Sequence, residues 1–216
     1  MVEVDRFEGW LACPDCERDL DPVAVGVLGC SSGHRFETNR RGHLGLVARG
    51  WRLPADPSGR DVAAHGTSTV APVIAAMLPR RGRVLEIAPT GPDLQIAMLS
   101  AGGALIPAAM SSSTRALDRI VSETGSGAVL ADPARRWPIR DGALAALIVT
   151  GASLAPIEFH RVLAPGGFLL SASPDEDGAQ LMDDLYPWFE HDQSRPNPAG
   201  EWTAVRLRRR RRMLSW

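Results

Sequence analysis

Four residues near the start of the chain have the types and the spacing of a zinc site. Cys13 and Cys16 form a C-x-x-C pair, and Cys30 and His34 form a C-x-x-x-H pair after it. Two ligands in a tight turn followed by a second pair are typical of a short segment that surrounds tetrahedral Zn²⁺. Because the protein would fill all four positions, no site remains for water, and the sequence predicts a structural zinc ribbon.

The same residues could instead be free cysteines beside a surface histidine, or two of the cysteines could form a disulfide. The chain contains 3 cysteines, an odd number. We recognise no secretory leader and therefore expect a reducing compartment, the cytoplasm. Four ligands in register favour zinc over free cysteines and over a disulfide. Because metal binding and folding are coupled, we expect replacement of Cys13 or Cys30 by Ser to unfold the ribbon.

The elements around the metal set divide the chain into three parts. Residues 1–49 form the zinc module, residues 50–60 are a linker rich in Pro and Gly, and residues 61–216 alternate helical and strand signals. The segment 21–28 predicts a short hairpin strand inside the zinc module.

Strands and helices alternate in the third part. The predicted strands are 83–87, 104–106, 128–130, 143–150 and 168–171. The predicted helices are 70–78, 92–100, 114–124, 157–163 and 179–189. Strands separated by helices imply parallel βαβ units in a doubly wound sheet.

Composition limits the class of protein. A chain of 216 residues with 44% hydrophobic residues can form one α/β domain with a small appendage. No apolar run approaches the length that spans a membrane. The formal net charge is −1, so the charge of the whole molecule indicates no partner.

The charges are unevenly distributed along the chain, although their sum is near zero. All 24 basic residues are arginine, and the segment Arg208–Arg212 is a continuous run of five. Such a run could contact an RNA backbone, with Trp202 and Trp216 stacking on bases. The alternative is a solvated tail or an edge strand that its charge keeps soluble.

Several segments lie in an order that resembles a known family. The zinc ligands, the segment Gly33–Glu37 (GHRFE) and the segment Gly42–Leu46 (GHLGL) resemble the amino end of the bacterial 23S rRNA guanine-N1 methyltransferases. Glu158–Gly167 resembles the E-x-x-R-V-L-x-P-G-G turn of class I S-adenosylmethionine methyltransferases. Ala131–Gly142 resembles their segment that supports the adenine. The likeness covers roughly residues 10–171.

The resemblance implies a Rossmann-like class I methyltransferase fold, doubly wound and mostly parallel, with an N-terminal zinc ribbon. It implies S-adenosylmethionine as cofactor, and it places Glu86 and Asp132 at the cofactor. Each carboxylate has a structural alternative. Glu86 could pair with a nearby arginine such as Arg83, and Asp132 could cap the turn that follows it.

The loop after the first strand departs from the family pattern D/E-x-G-x-G-x-G. Aligned on Glu86, its three glycine positions hold Ala88, Thr90 and Pro92. Their side chains would lie where the cofactor's carboxypropyl group belongs, and Pro89 and Pro92 have no backbone N–H. We therefore expect impaired or lost binding of S-adenosylmethionine.

The second strand lacks an acid as well. The carboxylate that normally holds the ribose hydroxyls would fall near Ala109, and no acid stands there. Unpaired buried hydroxyls cost about 1–3 kcal/mol each.

Three functions stay open at this point. The first is a diverged relative whose catalytic site has decayed and which acts as a binding or regulatory module on RNA or on another protein. The second is an active methyltransferase that modifies N1 of a guanine in 23S rRNA through a remodelled loop. The third is a fold used for another small-molecule reaction. Fold alone does not choose among them, and the sequence identifies no catalytic residue.

Overall fold

The computed structural model describes residues 4–53, 64–149, 155–174 and 184–211. In chain order the strands are β1 (Asp21–Ala24), β2 (Val27–Gly29), β3 (Arg35–Glu37), β4 (Leu44–Gly45), β5 (Arg81–Ile87), β6 (Ala104–Ser111), β7 (Gly127–Leu130), β8 (Leu144–Val149), β9 (Leu163–Pro174), β10 (Phe189–Pro196) and β11 (Trp202–Arg209). A 3-10 helix at Val4–Phe7 precedes the helices α1 (Ala64–Met77), α2 (Asp93–Ser100), α3 (Thr114–Thr124) and α4 (Pro156–Val162).

The main sheet has eight strands in the order β10-β11-β9-β8-β5-β6-β7-β4. The six strands from β9 to β4 run parallel, and β10 and β11 are antiparallel to their neighbours. The central strand β5 is buried from Val84 to Ile87, as a strand covered on both faces must be. The structure confirms the predicted doubly wound, mostly parallel sheet.

The predicted elements recur with changes at their ends. The helix α3 has the predicted limits, because Ser113 caps its amino end and Gly125 ends it in a left-handed turn. The strand β6 runs to Ser111 and not to Ile106, since pairing with β5 and β7 extends it through residues of low β-propensity.

The end of the chain differs more from the sequence-based prediction. The helix predicted at 179–189 is wrong at its end, where Phe189 begins β10, and residues 179–183 lie outside the described residues. The hairpin of β10 and β11 was missed. Most of β10 is polar and at least partly exposed, so it carries little of the hydrophobic alternation that reveals a strand.

The zinc module joins the main sheet through backbone and core. The strand predicted at 21–28 is divided by a turn into β1 and β2, which form a hairpin, and β3 completes a small antiparallel sheet. The strand β4 pairs in parallel with β7, and the N–H of Leu46 donates to the carbonyl of Leu130 at 2.9 Å. Phe7 and Trp10 are fully buried in the same hydrophobic cluster as Leu85. The zinc module and the sheet therefore share one core.

The boundaries predicted at residues 49 and 60 remain predictions, and residues 54–60 of the linker lie outside the described residues. Among the helices in the described part of the chain, none combines the length and the apolar character needed to cross a membrane.

Candidate metal centre and cofactor crevice

The structure brings the four predicted metal ligands together. Their ligand atoms all lie within 4.8 Å of one another. The Sγ atoms of Cys13 and Cys30 lie 3.3 Å and 3.4 Å from Nδ1 of His34, and the Sγ atoms of Cys16 and Cys30 are 3.6 Å apart. Bonds of about 2.3 Å from zinc to sulfur and about 2.0 Å to nitrogen produce similar spacings between tetrahedral ligands. The donor set therefore fits a structural zinc ion.

Two turns position these ligands. The N–H of Cys13 donates to the carbonyl of Arg18 at 2.7 Å, and the N–H of Cys30 donates to the carbonyl of His34 at 3.1 Å. A backbone hydrogen bond at Arg18 lowers the pKa of the Cys16 thiol to about 6, whereas burial raises the pKa of the Cys13 thiol to about 12. A buried thiolate at Cys13 needs a cation beside it, which a metal ion would supply.

The metal turns are tied to the segment that follows β7. The N–H of Ala12 donates to the carbonyl of Pro138 at 3.0 Å. Arg140 donates to the carbonyls of Leu11 and Leu20 and forms an ion pair of 2.8 Å with Asp21. These bonds join the turns of the candidate metal ligands to the segment that follows β7, so the candidate metal centre is anchored to the main sheet.

A cavity of about 460 Å³ lies between the metal turns and the segment 136–141. Its guanidinium groups already have partners, because Arg136 pairs with Glu17 at 3.0 Å and Arg161 with Asp141 at 2.7 Å. None of the residues that line it belongs to the loop after β5. The cavity therefore gives no support to a repurposed cofactor crevice.

Glu86 lies at the carboxyl end of β5 and is 2% exposed. Its Oε2 accepts a hydrogen bond of 2.8 Å from Nε2 of Gln95, and burial raises its pKa to about 7. The predicted alternative, a pair with Arg83, is wrong, since Arg83 donates to the carbonyl of Glu8 and stacks on Trp10. Sequence reasoning missed Gln95, although a polar residue between apolar positions of a helix was a usable signal.

The loop after β5 turns sharply without its glycines. Ala88 has a φ of 50°, in the left-handed region, and its N–H donates to the carbonyl of Met110 at 2.8 Å. Pro89 and Pro92 are buried, and Met110 is fully buried. Of the three side chains predicted to fill the crevice, Pro92 is buried, and Ala88 and Thr90 are half-buried.

The left-handed backbone of Ala88 leads to a testable prediction. We expect Ala88→Gly to raise the free energy of unfolding by about 0.5–1 kcal/mol, because glycine adopts this conformation without a Cβ clash. Urea unfolding measures the change. Ala109→Gly is the matched control, and it should destabilise the protein because Ala109 is buried inside a strand. Equal losses in both variants would contradict the prediction.

The ribose position predicted in the second strand lies near the carboxyl end of β6. Ala109 lies inside β6, opposite Glu86, and is fully buried. The carboxyl end of the strand is Ser111, which is 5% exposed and accepts a hydrogen bond of 3.1 Å from the N–H of Ser113. Neither Ala109 nor Ser111 carries a carboxylate, and a ribose site at this strand stays a prediction.

Asp132 follows β7, and its side chain is 9% exposed. Its Oδ1 accepts from the N–H of Ala134 at 2.9 Å, which is the predicted turn cap. Its Oδ2 accepts from Nε1 of Trp51 at 3.3 Å, and Arg135 lies 3.9 Å away. A role of Asp132 at an adenine stays a prediction. Sequence reasoning missed Trp51, because the contact joins residues far apart in the chain.

Within the described residues, the arginines at positions 208–210 of the run form bonds with other parts of the protein. Arg208 pairs with Asp192 at 2.8 Å, Arg209 donates to the carbonyl of Leu163, and Arg210 donates to the carbonyl of Phe189. The strand β11 has a neighbour on each side, so the alternative of an edge strand is wrong. Arg212 lies outside the described residues.

Comparisons with known proteins agree with the fold and with the resemblance. No family model matches the chain. The chain is 29% identical over 199 residues to the 23S rRNA (guanine(748)-N(1))-methyltransferase of Streptomyces fradiae, and the match covers 82% of this chain and 68% of that protein. A second relative, from Micromonospora griseorubida, is 28% identical over 206 residues and is named for the same class of rRNA methyl transfer; the match covers 81% of this chain and 69% of that protein.

Solved structures resemble this chain at low sequence identity, so they bear on the fold and not on the function. The TehB-like S-adenosylmethionine-dependent methyltransferase of Corynebacterium glutamicum has a TM-score of 0.51 at 14% identity, over 66% of this chain and 88% of that chain. The N-methyltransferase NodS of Bradyrhizobium japonicum, solved with S-adenosylhomocysteine, has a TM-score of 0.51 at 14% identity, over 74% of this chain and 91% of that chain. The class I methyltransferase fold and the resemblance to the rRNA guanine-N1 methyltransferases are confirmed.

Proposed function

We propose that this chain, a relative of the 23S rRNA guanine-N1 methyltransferases, is an RNA-binding zinc protein that keeps their fold and binds S-adenosylmethionine weakly or not at all. One observation carries the proposal. The polar groups at the carboxyl ends of β5, β6 and β7 are engaged within the chain. Glu86 accepts from Gln95, Ser111 accepts from the N–H of Ser113, and Asp132 accepts from Trp51.

Parallel sheets bind nucleotides at the carboxyl ends of their strands, where a ribose and an adenine would have to share acceptors that already take a hydrogen bond from this chain. Each buried hydrogen-bonding group left without a partner costs about 1–3 kcal/mol. Several such losses together weaken binding by several powers of ten. The residues present do not fit the cofactor, and the proposal therefore contains no methyl transfer.

RNA is the proposed partner for two reasons. The relative in Streptomyces fradiae is named for methylation of 23S rRNA, so common ancestry favours RNA over other partners. Exposed arginines lie at the same edge of the sheet as the crevice, among them Arg49, Arg52 and Arg135. Arginine forks suit phosphate oxygens. A protein partner is the alternative, and failure of an RNA-binding assay would favour it.

An active methyltransferase is the second candidate, and one observation favours it. The loop after β5 keeps a left-handed residue, Ala88, where the family has its first glycine. This one backbone conformation, which a cofactor loop uses, supports the second candidate. If the cofactor bound, it would supply the methyl group, and the protein would align guanine N1 with it.

Calorimetric titration of the zinc-loaded protein separates the two candidates. We expect no measurable heat with S-adenosylmethionine or S-adenosylhomocysteine up to about 1 mM ligand, because the acceptors are engaged. A variant with Ala88→Gly, Thr90→Gly, Pro92→Gly and Ser111→Asp is the matched control, and we expect it to gain affinity. Micromolar binding by the unchanged protein would contradict the proposal and favour the enzyme.

A further inference from the structure

Five residues beside the metal turns form an exposed surface, which we call the Trp51 surface. Its members come from the segment after β4 and from the turn after β7. They are Arg49, Trp51, Arg52, Arg135 and Arg136. The strands β4 and β7 are parallel neighbours, so both segments leave the sheet at its carboxyl edge. The surface therefore borders the crevice, and Trp51 contacts it through Asp132.

The indole of Trp51 is held in place yet remains accessible. Its Nε1 donates to Oδ2 of Asp132 at 3.3 Å, and the Cζ atom of Arg135 lies 3.2 Å from the centre of its ring. The residue is nevertheless 40% exposed, which is unusual for a large apolar ring that has been fixed at one edge and one face. A ring held in this way is preorganised for stacking.

In two ion pairs of this surface the guanidinium group is more exposed than its carboxylate partner. The Arg49 side chain is 80% exposed, whereas its partner Asp15 is 12% exposed. The Arg135 side chain is 53% exposed, whereas its partner Asp132 is 9% exposed. The carboxylates thus lie beneath the guanidinium groups that they hold. At these two pairs solvent meets the guanidinium groups, whereas at the third pair the side chain of Glu17 is 62% exposed and that of Arg136 is 49% exposed.

The anchors of the surface lie in the metal turn. The N–H of Arg49 donates to Oδ1 of Asp15 at 2.7 Å, and Arg136 pairs with Glu17 at 3.0 Å. Asp15 lies between the ligands Cys13 and Cys16, so the bound metal would hold the surface in shape.

We propose that the Trp51 surface binds unpaired RNA, with one base stacked on Trp51 and the neighbouring phosphates held by its arginines. A flat ring among exposed guanidinium groups matches a base flanked by phosphates, and stacking of this kind is the usual way in which proteins hold unpaired bases. This proposal rests on the proposed function for the choice of RNA as partner. It adds the site and the single-stranded character of the ligand.

Fluorescence anisotropy with two labelled RNAs tests the proposal. One probe is a hairpin with a purine-rich unpaired loop, and the other is a fully paired duplex of equal length. We expect the protein to prefer the hairpin, and Trp51→Ala to weaken hairpin binding by roughly tenfold. Trp51→Phe should keep most of the affinity because it keeps a ring. Arg135→Ala should reduce the slope of log Kd against log salt by about 1.

The matched control is a second ring and guanidinium pair, at the opposite edge of the sheet. Tyr186 is 54% exposed, and the Cζ atom of Arg210 lies 4.9 Å from its ring. We expect Tyr186→Ala to leave hairpin binding unchanged. Zinc content and the melting temperature of each variant establish that it is folded.

The outcomes separate the two proposals. Hairpin binding that Trp51→Ala weakens and Tyr186→Ala does not supports both. Hairpin binding by the unchanged protein with equal affinity in these two variants overturns the Trp51 surface but leaves the RNA-binding function standing. Absence of RNA binding by the folded, zinc-loaded protein overturns both. A loss of S-adenosylhomocysteine binding in Trp51→Ala, without loss of RNA binding, would assign the ring to a cofactor adenine and overturn the surface.

Discussion

Replacement of Cys13 by Ser is expected to unfold the shared core, beyond the zinc module itself. Metal binding by a closed zinc site contributes folding free energy that is comparable with the whole stability of an ordinary domain, so we expect a loss of more than about 5 kcal/mol. Cys13 and Cys30 belong to the same buried cluster as Leu85 and Val129. Loss of the metal therefore reaches the centre of the sheet.

The strand β4 would be lost with the metal. It pairs with β7, and the bond from Leu46 to Leu130 continues that pairing. Without β4 the edge of the sheet would present unpaired backbone groups, which favours aggregation. Hydrogen exchange should show that the amides of β4 and β7 lose protection together when zinc is removed by a chelator.

Ser31→Ala is the matched control for this prediction. Ser31 is exposed and adjacent to Cys30, and it accepts one hydrogen bond from Arg18. We expect its replacement to leave zinc content and the thermal transition unchanged. A Cys13→Ser variant with full zinc content and the melting temperature of the unchanged protein would refute the zinc assignment.

Replacement of Glu86 by Gln is expected to stabilise the protein at alkaline pH. Burial raises the pKa of Glu86 to about 7 from an ordinary value of 4.5. Below pH 4.5 the carboxyl group is protonated in both states and has no effect. Between these values the folded protein binds more protons than the unfolded chain, so stability falls as pH rises, and the loss is complete above about pH 7.

The size of this effect follows from the pKa difference. A difference of about 2.5 between the pKa in the folded and the unfolded state corresponds to roughly 3 kcal/mol in the free energy of unfolding, for a fully buried group. Glutamine removes the charge and keeps an oxygen that accepts from Nε2 of Gln95. Oε1 of Gln95 is buried without a hydrogen-bond partner, and the new amide could donate to it. The substitution should therefore lower the free energy of unfolding only slightly below pH 4.5.

Urea unfolding at several pH values between 4.5 and 8.5 measures this effect. We expect the free energy of unfolding of Glu86→Gln to exceed that of the unchanged protein by more at pH 8 than at pH 5. Glu123→Gln, on the exposed face of α3, is the control and should follow the profile of the unchanged protein. Parallel profiles for all three proteins would show that Glu86 titrates normally.

The sequence by itself predicted the cluster of four candidate metal ligands, the class of fold and the family resemblance. These properties depend on patterns among residues that are close together in the sequence. The four ligands lie within about twenty residues of one another, so two turns are enough to bring them together. The helix α3 is bounded by its own capping residues. The parallel sheet followed from the alternation of apolar strands and helices.

Only the tertiary structure decided which groups at the carboxyl edge of the sheet are engaged. Glu86 meets Gln95 because α2 packs on β6, and Trp51 meets Asp132 because β4 lies beside β7. No local pattern encodes these pairs, since side-chain contacts between distant segments depend on strand order and register. The same reason hid the hairpin of β10 and β11. Its strands are defined by the pairing of β11 with β9 and of β10 with β11, and not by their own residues.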